Sequence, residues 1–221
     1  MKKVKVVQTW LAAILCGALV LTACSTAWIG EAEQIVAALI PATANLVALV
    51  AALQGNNVSA ADLSTIQNAG AQAGADLQLM QSLIAQYQAA DAAAQPGLLN
   101  QIQLAMSAAQ SALNALLPAL HIKDTATQTK FAAVIGILLS EVESVAAIVP
   151  LVSASASPGM MEMAAKQVKK QPPLSADEFA ASYNATMTAK TGNAELDRAA
   201  SAMTIHLHGK FARWASAGLL K

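Results

Sequence analysis

Apolar residues recur three and four positions apart over most of residues 35–152. In residues 63–87 this alternation of steps runs without interruption, and residues 35–53, 99–120 and 131–152 repeat it. Such spacing places the apolar positions in one stripe along a helix and is typical of coiled coils and helical bundles. The four stripes are Ile35, Leu39, Thr43, Leu46, Val50, Leu53; Leu63, Ile66, Gly70, Ala73, Leu77, Met80, Ile84, Tyr87; Leu99, Ile102, Met106, Ala109, Leu113, Leu116, Leu120; and Phe131, Ile135, Leu138, Val142, Val145, Val149, Val152.

Helix-breaking and capping residues separate these stripes. Gly55, Asn56 and Asn57 interrupt the pattern between the first two helices, and residues 59–62 read as a capping box. Pro96 suits the first turn of the third helix, and Asp124 is a suitable N-cap for the fourth. Short connections between helices of similar length favour antiparallel neighbours. We therefore expect an all-α, up-down-up-down four-helix bundle over residues 30–152.

The remaining C-terminal part divides into a linker and a helical hairpin. Residues 153–174 are rich in Ser, Ala, Pro and Gly and predict a flexible linker. A capping box at residues 175–178 starts a helix that we expect to reach about Lys190. After a break at residues 191–193, a last helix is predicted over residues 194–217, with the stripe Leu196, Ala200, Met203, Leu207, Phe211, Trp214. The pattern leaves open whether the hairpin of residues 175–221 packs on the bundle.

The N-terminal residues have the organisation of an export signal. Three lysines in the first five residues precede an apolar run over residues 10–21, which is too short to span a bilayer comfortably. The run ends in Leu21-Thr22-Ala23-Cys24, which resembles the lipobox of bacterial lipoproteins. This resemblance implies that residues 1–23 are cleaved and that Cys24 carries a diacylglyceryl group and further acyl chains such as palmitate. An ordinary cleaved signal and an uncleaved membrane helix are the alternatives.

The resemblance also bears on location. In the lipoprotein family an Asp after the modified cysteine tends to retain the protein at the inner membrane, and here that residue is Ser25. The resemblance therefore implies the cell envelope, and the periplasmic face of the outer membrane if the organism has one. Anchor and bundle would then occupy residues 24–152.

Charge and cysteine content exclude several classes of function. Without the signal, ten basic residues stand against thirteen acidic ones, a net charge of −3, and residues 24–122 contain no Lys or Arg. Nucleic-acid binding requires clustered cationic surface, so we expect no nucleic-acid partner. Cys24 would be the only cysteine left and would be lipidated, so no internal disulfide is expected. The last predicted helix does carry Arg198, Lys210 and Arg213, a pattern that allows contact with an anionic lipid surface. A packed helix with a solvated face explains the same pattern and is favoured.

Candidate chemistry is sparse. His206 and His208 are two positions apart, and on a helix they point in different directions and cannot chelate one ion. An unwound turn would let both imidazoles join other ligands, but the sequence marks none. His121 stands alone. The thioethers of residues 160–163 suit cuprous ion, but three methionines in a linker are more often a segment that contacts the core. Glu141 and Glu143 flank the fourth stripe, and we expect both to lie on a solvated face. We therefore predict no catalytic residue, no metal site, no cofactor and no enzymatic activity.

Two features of the helices have a membrane interpretation and a bundle interpretation. Gly70 and Gly74 form the GxxxG spacing of closely packed membrane helices, but the polar residues around them favour a small-residue seam in a soluble bundle. Residues 35–53 carry no charge, yet Pro41, Thr43 and Asn45 favour a buried bundle helix over a membrane span.

The function that follows is a lipid-anchored envelope protein, a structural or interaction module held by Cys24. Its partners would be membrane lipid and either an envelope protein or a second copy. The alternatives are a membrane-active protein that inserts residues 35–53 and 131–139 into a bilayer, and a carrier of an apolar or metal ligand.

Overall fold

The computed structural model describes residues 28–51, 59–119, 121–150 and 175–206, which form helices and connections without a β-strand. The signal segment, Cys24 and the linker over residues 153–174 lie outside these residues. In chain order the helices are α1 (Trp28–Ala51), α2 (Ala60–Ala89), α3 (Gln95–Ala119), α4 (Thr125–Ile148), α5 (Ala176–Thr188) and α6 (Ala194–Ala202). The all-α prediction is confirmed.

Side-chain caps fix where several helices begin. The Ser59 hydroxyl accepts a hydrogen bond from the amide of Asp62 at 3.1 Å, and the Asp124 carboxylate accepts one from the amide of Thr127 at 2.8 Å. Each bond satisfies a backbone donor that has no partner within the first helical turn. The predicted starts of α2 and α4 are therefore confirmed.

The C-terminal hairpin is bounded in the same way. Ser175 and Glu178 form a complete capping box, in which each side chain bonds the other residue's backbone amide. Between α5 and α6, Gly192 adopts a φ of +90°, which a side chain disfavours, and Asn193 then caps α6. The break predicted at residues 191–193 is confirmed.

The predicted stripes form the core of the bundle. Every described member of the four stripes is buried, including Gly70 and Thr43. Leu53, Leu120 and Val152 lie outside the described residues. Helix α1 buries further residues off its stripe: Trp28, Ile29, Ala32, Val36, Ala38, Ala42 and Leu49. A stripe this wide means that α1 is covered on more than one side.

Contacts between consecutive helices show that α1–α4 run up and down. The rings of Trp28 and Tyr87 lie 5.3 Å apart, so the start of α1 meets the end of α2. Helices α3 and α4 are also antiparallel. The side-chain amide of Gln103, in the first half of α3, donates to the carbonyl of Pro150, just after the end of α4, at 3.1 Å. The α2–α3 pair has the most extensive contact among α2–α6. The architecture is the expected bundle.

The C-terminal hairpin packs on this bundle, which settles the point that the sequence left open. Helix α5 contacts α4, and the Tyr183 hydroxyl donates to the carbonyl of Ala42 in α1 at 3.3 Å. The rings of Phe179 and Tyr183 are fully buried, and their centroids lie 6.0 Å apart. Aromatic burial of this size makes the hairpin part of the core.

The predicted length of the last helix is wrong. Helix α6 ends at Ala202, and residues 204–206 are not helical. The Asn184 side chain donates to the carbonyl of Ile205 and accepts from its amide, both at 2.8 Å, while the Asn45 amide donates to the carbonyl of Met203 at 2.7 Å. These tertiary bonds replace the helical ones and allow Ile205 to be buried. The predicted continuation over residues 207–217 lies outside the described residues.

Candidate functional site

The predicted attachment residue, Cys24, lies outside the described residues, but the start of the folded core lies close to it in sequence. Three residues separate Cys24 from Trp28, the first residue of α1. Trp28 and Ile29 are already buried in the core. An anchor at Cys24 would therefore hold the end of the bundle where α1 begins.

The histidines lie apart from one another. His121 is largely exposed, and its Nδ1 lies 3.1 Å from a carboxylate oxygen of Asp62, which joins the α3–α4 connection to the start of α2. The hydrogen bond from Ser59, followed by that of His121, lowers the pKa of Asp62. His206 is exposed and non-helical, whereas His208 and the methionines of residues 160–163 lie outside the described residues.

Metal ligation gains no support from this arrangement. Within residues 28–51, 59–119, 121–150 and 175–206, no three His, Cys, Asp or Glu side chains are arranged to hold a metal ion. A depression beside the α5–α6 turn is open to solvent and is lined by Lys190, Gly192, Ala194, Asp197, Arg198 and Ser201. It lies on the surface of the hairpin and not inside the bundle, so it offers no shelter to an apolar ligand.

A buried lysine holds the hairpin to α4, and the sequence patterns did not reveal it. Lys130 is 5% exposed, and its Nζ donates to the carbonyl of Ala189 at 2.7 Å and lies 3.6 Å from Asp197 Oδ1. Burial lowers the pKa of Lys130, and the charge of Asp197 acts in the opposite direction. A charge buried to this extent requires a fixed partner, so this pair ties α4 to both ends of the α5–α6 turn.

Asp197 is held by hydrogen bonds from Thr191 in the α5–α6 turn. Its carboxylate accepts from the Thr191 amide at 2.9 Å and from the Thr191 hydroxyl at 2.9 Å. Burial acts to raise the pKa of Asp197, but the bonds from Thr191 and the charge of Lys130 outweigh it and lower the pKa. The α5–α6 turn is therefore a satisfied polar network around one ion pair.

The prediction for Glu141 is wrong. Glu143 is exposed as expected, but Glu141 has no solvent-exposed surface, and neither of its carboxylate oxygens has a hydrogen-bond partner in the described part of the chain. We attribute this burial to helix α5, which packs on α4 and carries Glu178, a charged neighbour of Glu141. The sequence shows Glu141 beside the stripe, but it does not show that a fifth helix packs there.

Burial has a large effect on this carboxyl group. The pKa of Glu141 rises to about 8, first because burial disfavours the charged form, and then because Glu178 and Glu31 are negatively charged neighbours. A buried carboxyl with a raised pKa is a common mark of a functional group.

No protein-family model, curated protein or solved structure matches this chain.

Proposed function

We propose that this protein is a lipid-anchored component of the bacterial cell envelope, a non-enzymatic module held by acylated Cys24. The observation that carries the proposal is the tetrapeptide Leu21-Thr22-Ala23-Cys24 directly after a short apolar run. Each buried methylene contributes about 0.8 kcal/mol, and stable anchoring requires more than one acyl chain. A cysteine with two or three chains satisfies that requirement.

The surface of the α2–α3 pair supports a role in protein interaction. Residues 60–119, which span both helices, contain three charged residues, Asp62, Asp76 and Asp91, and Asp76 is buried. Three large apolar side chains on this pair are exposed, Leu79 at 50%, Leu104 at 62% and Leu117 at 40%. The cores of protein interfaces are depleted in charged residues because charged groups are costly to desolvate. A neutral helical surface of this kind is suited to a protein partner.

Anchoring is tested by comparing the two cysteines. The native protein is purified from membranes, and the mass of its N-terminal peptide is measured beside those of Cys24→Ser and Cys16→Ser. We expect a cleaved, acylated Cys24 in the native protein and in Cys16→Ser, and loss of membrane attachment in Cys24→Ser. An unmodified thiol at Cys24, or a different mature N-terminus, refutes the proposal.

The choice of membrane is tested separately at Ser25. The family tendency predicts the outer membrane for the native protein, and partial or complete relocation to the inner membrane for Ser25→Asp. Separation of the two membranes on a density gradient, followed by immunoblotting, measures both. Equal inner-membrane recovery of the native protein and Ser25→Asp contradicts the assignment to the outer membrane.

Partner contact is tested with a photo-cross-linking residue at Leu104 in intact cells. The control places the same residue at Glu143, which is exposed on α4. We expect a discrete cross-linked species for Leu104 above the Glu143 background, and its mass distinguishes a second copy from another envelope protein. Equal yields at the two positions contradict an interaction role for the α2–α3 surface.

A second candidate function is membrane activity, and one observation favours it. Helices α1 and α4 are each long and apolar enough to cross a membrane, with a mean hydropathy of 1.9 over their most apolar windows. The core helix of a soluble bundle passes the same test, and half of the α1 window is buried here. In addition, Asn45 of α1 is bonded inside the protein, which a bundle helix accounts for more directly.

Leakage from dye-loaded vesicles separates the two candidates. The unacylated Cys24→Ser form is added to vesicles of anionic and zwitterionic lipid. Membrane activity predicts leakage from these vesicles. Ala133→Glu, at an exposed position of α4, should suppress the leakage, and Ala108→Glu, at an exposed position of α3, should leave it unchanged. No leakage at any protein concentration removes this candidate and leaves the anchored module.

A further inference from the structure

Helices α4 and α5 lie antiparallel, and two ionisable residues of α4 lie on the side that faces α5. The bond from Lys130 to Ala189 places the start of α4 beside the end of α5. Glu141 follows Lys130 by eleven residues, which is about three helical turns, so it lies on the same side of α4. The antiparallel register then brings Glu141 to the first turn of α5, where Glu178 is located.

The two residues differ in how they are satisfied. Lys130 has a carbonyl and a carboxylate within reach, whereas both oxygens of Glu141 are buried without a hydrogen-bond partner in the part of the chain that the structure describes. A neutral carboxyl tolerates such a position at moderate cost, but a buried carboxylate without a partner costs far more. The packing of α5 on α4 is therefore compatible with one protonation state of Glu141.

The charges around Glu141 act in the same direction. Helix α1 contributes Glu31 and helix α5 contributes Glu178, and both oppose a negative charge on Glu141. Helix α3, which also packs on α4, contains no charged residue. The N-terminus of α5 has a partial positive charge that favours an anion, but the capping box already places the Glu178 carboxylate there. Among the described residues, no cation has been identified to compensate Glu141.

We propose that the contact between α4 and the α5–α6 hairpin is a pH-sensitive joint, closed when Glu141 is protonated and loosened when it loses its proton. Opening the joint exposes Glu141 to water together with the face of α5 that carries Phe179 and Tyr183, while the four stripes of α1–α4 still pack on one another. The joint does not depend on how the protein is anchored, so it stands or falls apart from the proposed lipid attachment.

The sign of the pH dependence follows from the two states of Glu141. In the closed state burial raises the pKa of Glu141 to about 8, and in the open state the side chain is hydrated and returns to the ordinary value of about 4.3. Below both values the joint is unaffected by pH. Between them, the open state binds fewer protons, so each pH unit favours opening by about tenfold. Closure is therefore lost progressively as pH rises towards 8.

Hydrogen exchange of the full-length protein tests the joint. Protection factors, corrected for the intrinsic pH dependence of exchange, are measured by mass spectrometry from pH 5.5 to 8 for peptides from α5 and from α2. We expect protection in α5 to fall by up to about tenfold per pH unit, and protection in α2 to stay constant. Constant protection in α5, or an equal fall in α2, overturns the proposal.

Three variants complete the test. Glu141→Gln keeps the shape of the side chain without the titration and should make protection in α5 independent of pH. Glu143→Gln, on the exposed face of the same helix, should retain the native pH dependence. If Glu141→Gln retains it as well, the proposal is wrong. Should Glu141→Gln fail to fold, Glu141→Met replaces it, and NMR titration of the native Glu141 carboxyl decides: a midpoint near the ordinary glutamate value overturns the joint.

Discussion

Gly70 and Gly74 offer a direct test of how closely α1 and α2 approach. The two residues lie one turn apart in α2, but their surroundings differ. A Cβ atom at Gly70 would overlap the Cγ2 methyl of Val47 in α1, and it would lie 3.6 Å from Val47 Cβ. A Cβ atom at Gly74 would meet no atom within 4 Å. Of the GxxxG pair, only Gly70 is needed for close packing.

The expected free energies follow from two terms. Replacing Gly by Ala in a helix interior gains about 0.8–1 kcal/mol from propensity. At Gly70 the new methyl group must displace Val47, whose branched side chain is restricted to one main rotamer in a helix, and overpacking of this kind costs about 1–3 kcal/mol. We therefore expect Gly74→Ala to raise the free energy of unfolding by about 0.5–1 kcal/mol. Gly70→Ala should lie about 1–3 kcal/mol below it.

Urea denaturation followed by circular dichroism measures these differences, since the propensity term cancels between the two variants. The double variant Gly70→Ala with Val47→Ala serves as the rescue, because it removes the methyl group that the new Cβ meets. A coupling energy of about 0.5–3 kcal/mol is expected for residues in contact. If Gly70→Ala is as stabilising as Gly74→Ala, the close approach of α1 and α2 at this point is refuted.

Three further predictions concern the attachment of the hairpin. Lys130→Met should lower the midpoint of thermal unfolding, because it leaves the buried Asp197 without its cation. Lys123→Met, in the exposed α3–α4 connection, should leave the midpoint unchanged. Equal midpoints of the two variants in calorimetry contradict this prediction. Asn184→Ala should speed hydrogen exchange at residues 203–206 without altering exchange in α2, since it removes both hydrogen bonds to Ile205. Unchanged exchange at residues 203–206 contradicts the role of Asn184 in holding this segment. Tyr183→Phe should cost about 0.5–1.5 kcal/mol in urea denaturation, because it removes the buried hydrogen bond from the hydroxyl to the carbonyl of Ala42. A neutral effect contradicts a stabilising role for this bond.

The position of each helix and the main apolar stripe that it buries could be predicted from local sequence. Steps of three and four residues specify a single stripe, and local groups such as Ser175 and Asn193 bond amides within the next turn, so both signals are complete within about one or two turns of chain. The motif at Cys24 is also local in sequence, so it can be recognised without knowledge of the fold. What it implies for attachment stays a prediction.

Which off-stripe residues are buried, and where α6 ends, depends on contacts between helices that are distant in sequence. Glu141 and Glu143 are alike in sequence, and Glu141 differs because α5 covers its side of α4. The end of α6 depends on Asn45 and Asn184, which are distant in sequence from Met203 and Ile205. Burial of Glu141 and the end of α6 both depend on which helix surfaces pack together. Helical periodicity gives the direction in which a side chain points from its own helix axis, but it does not give the element that packs against that side.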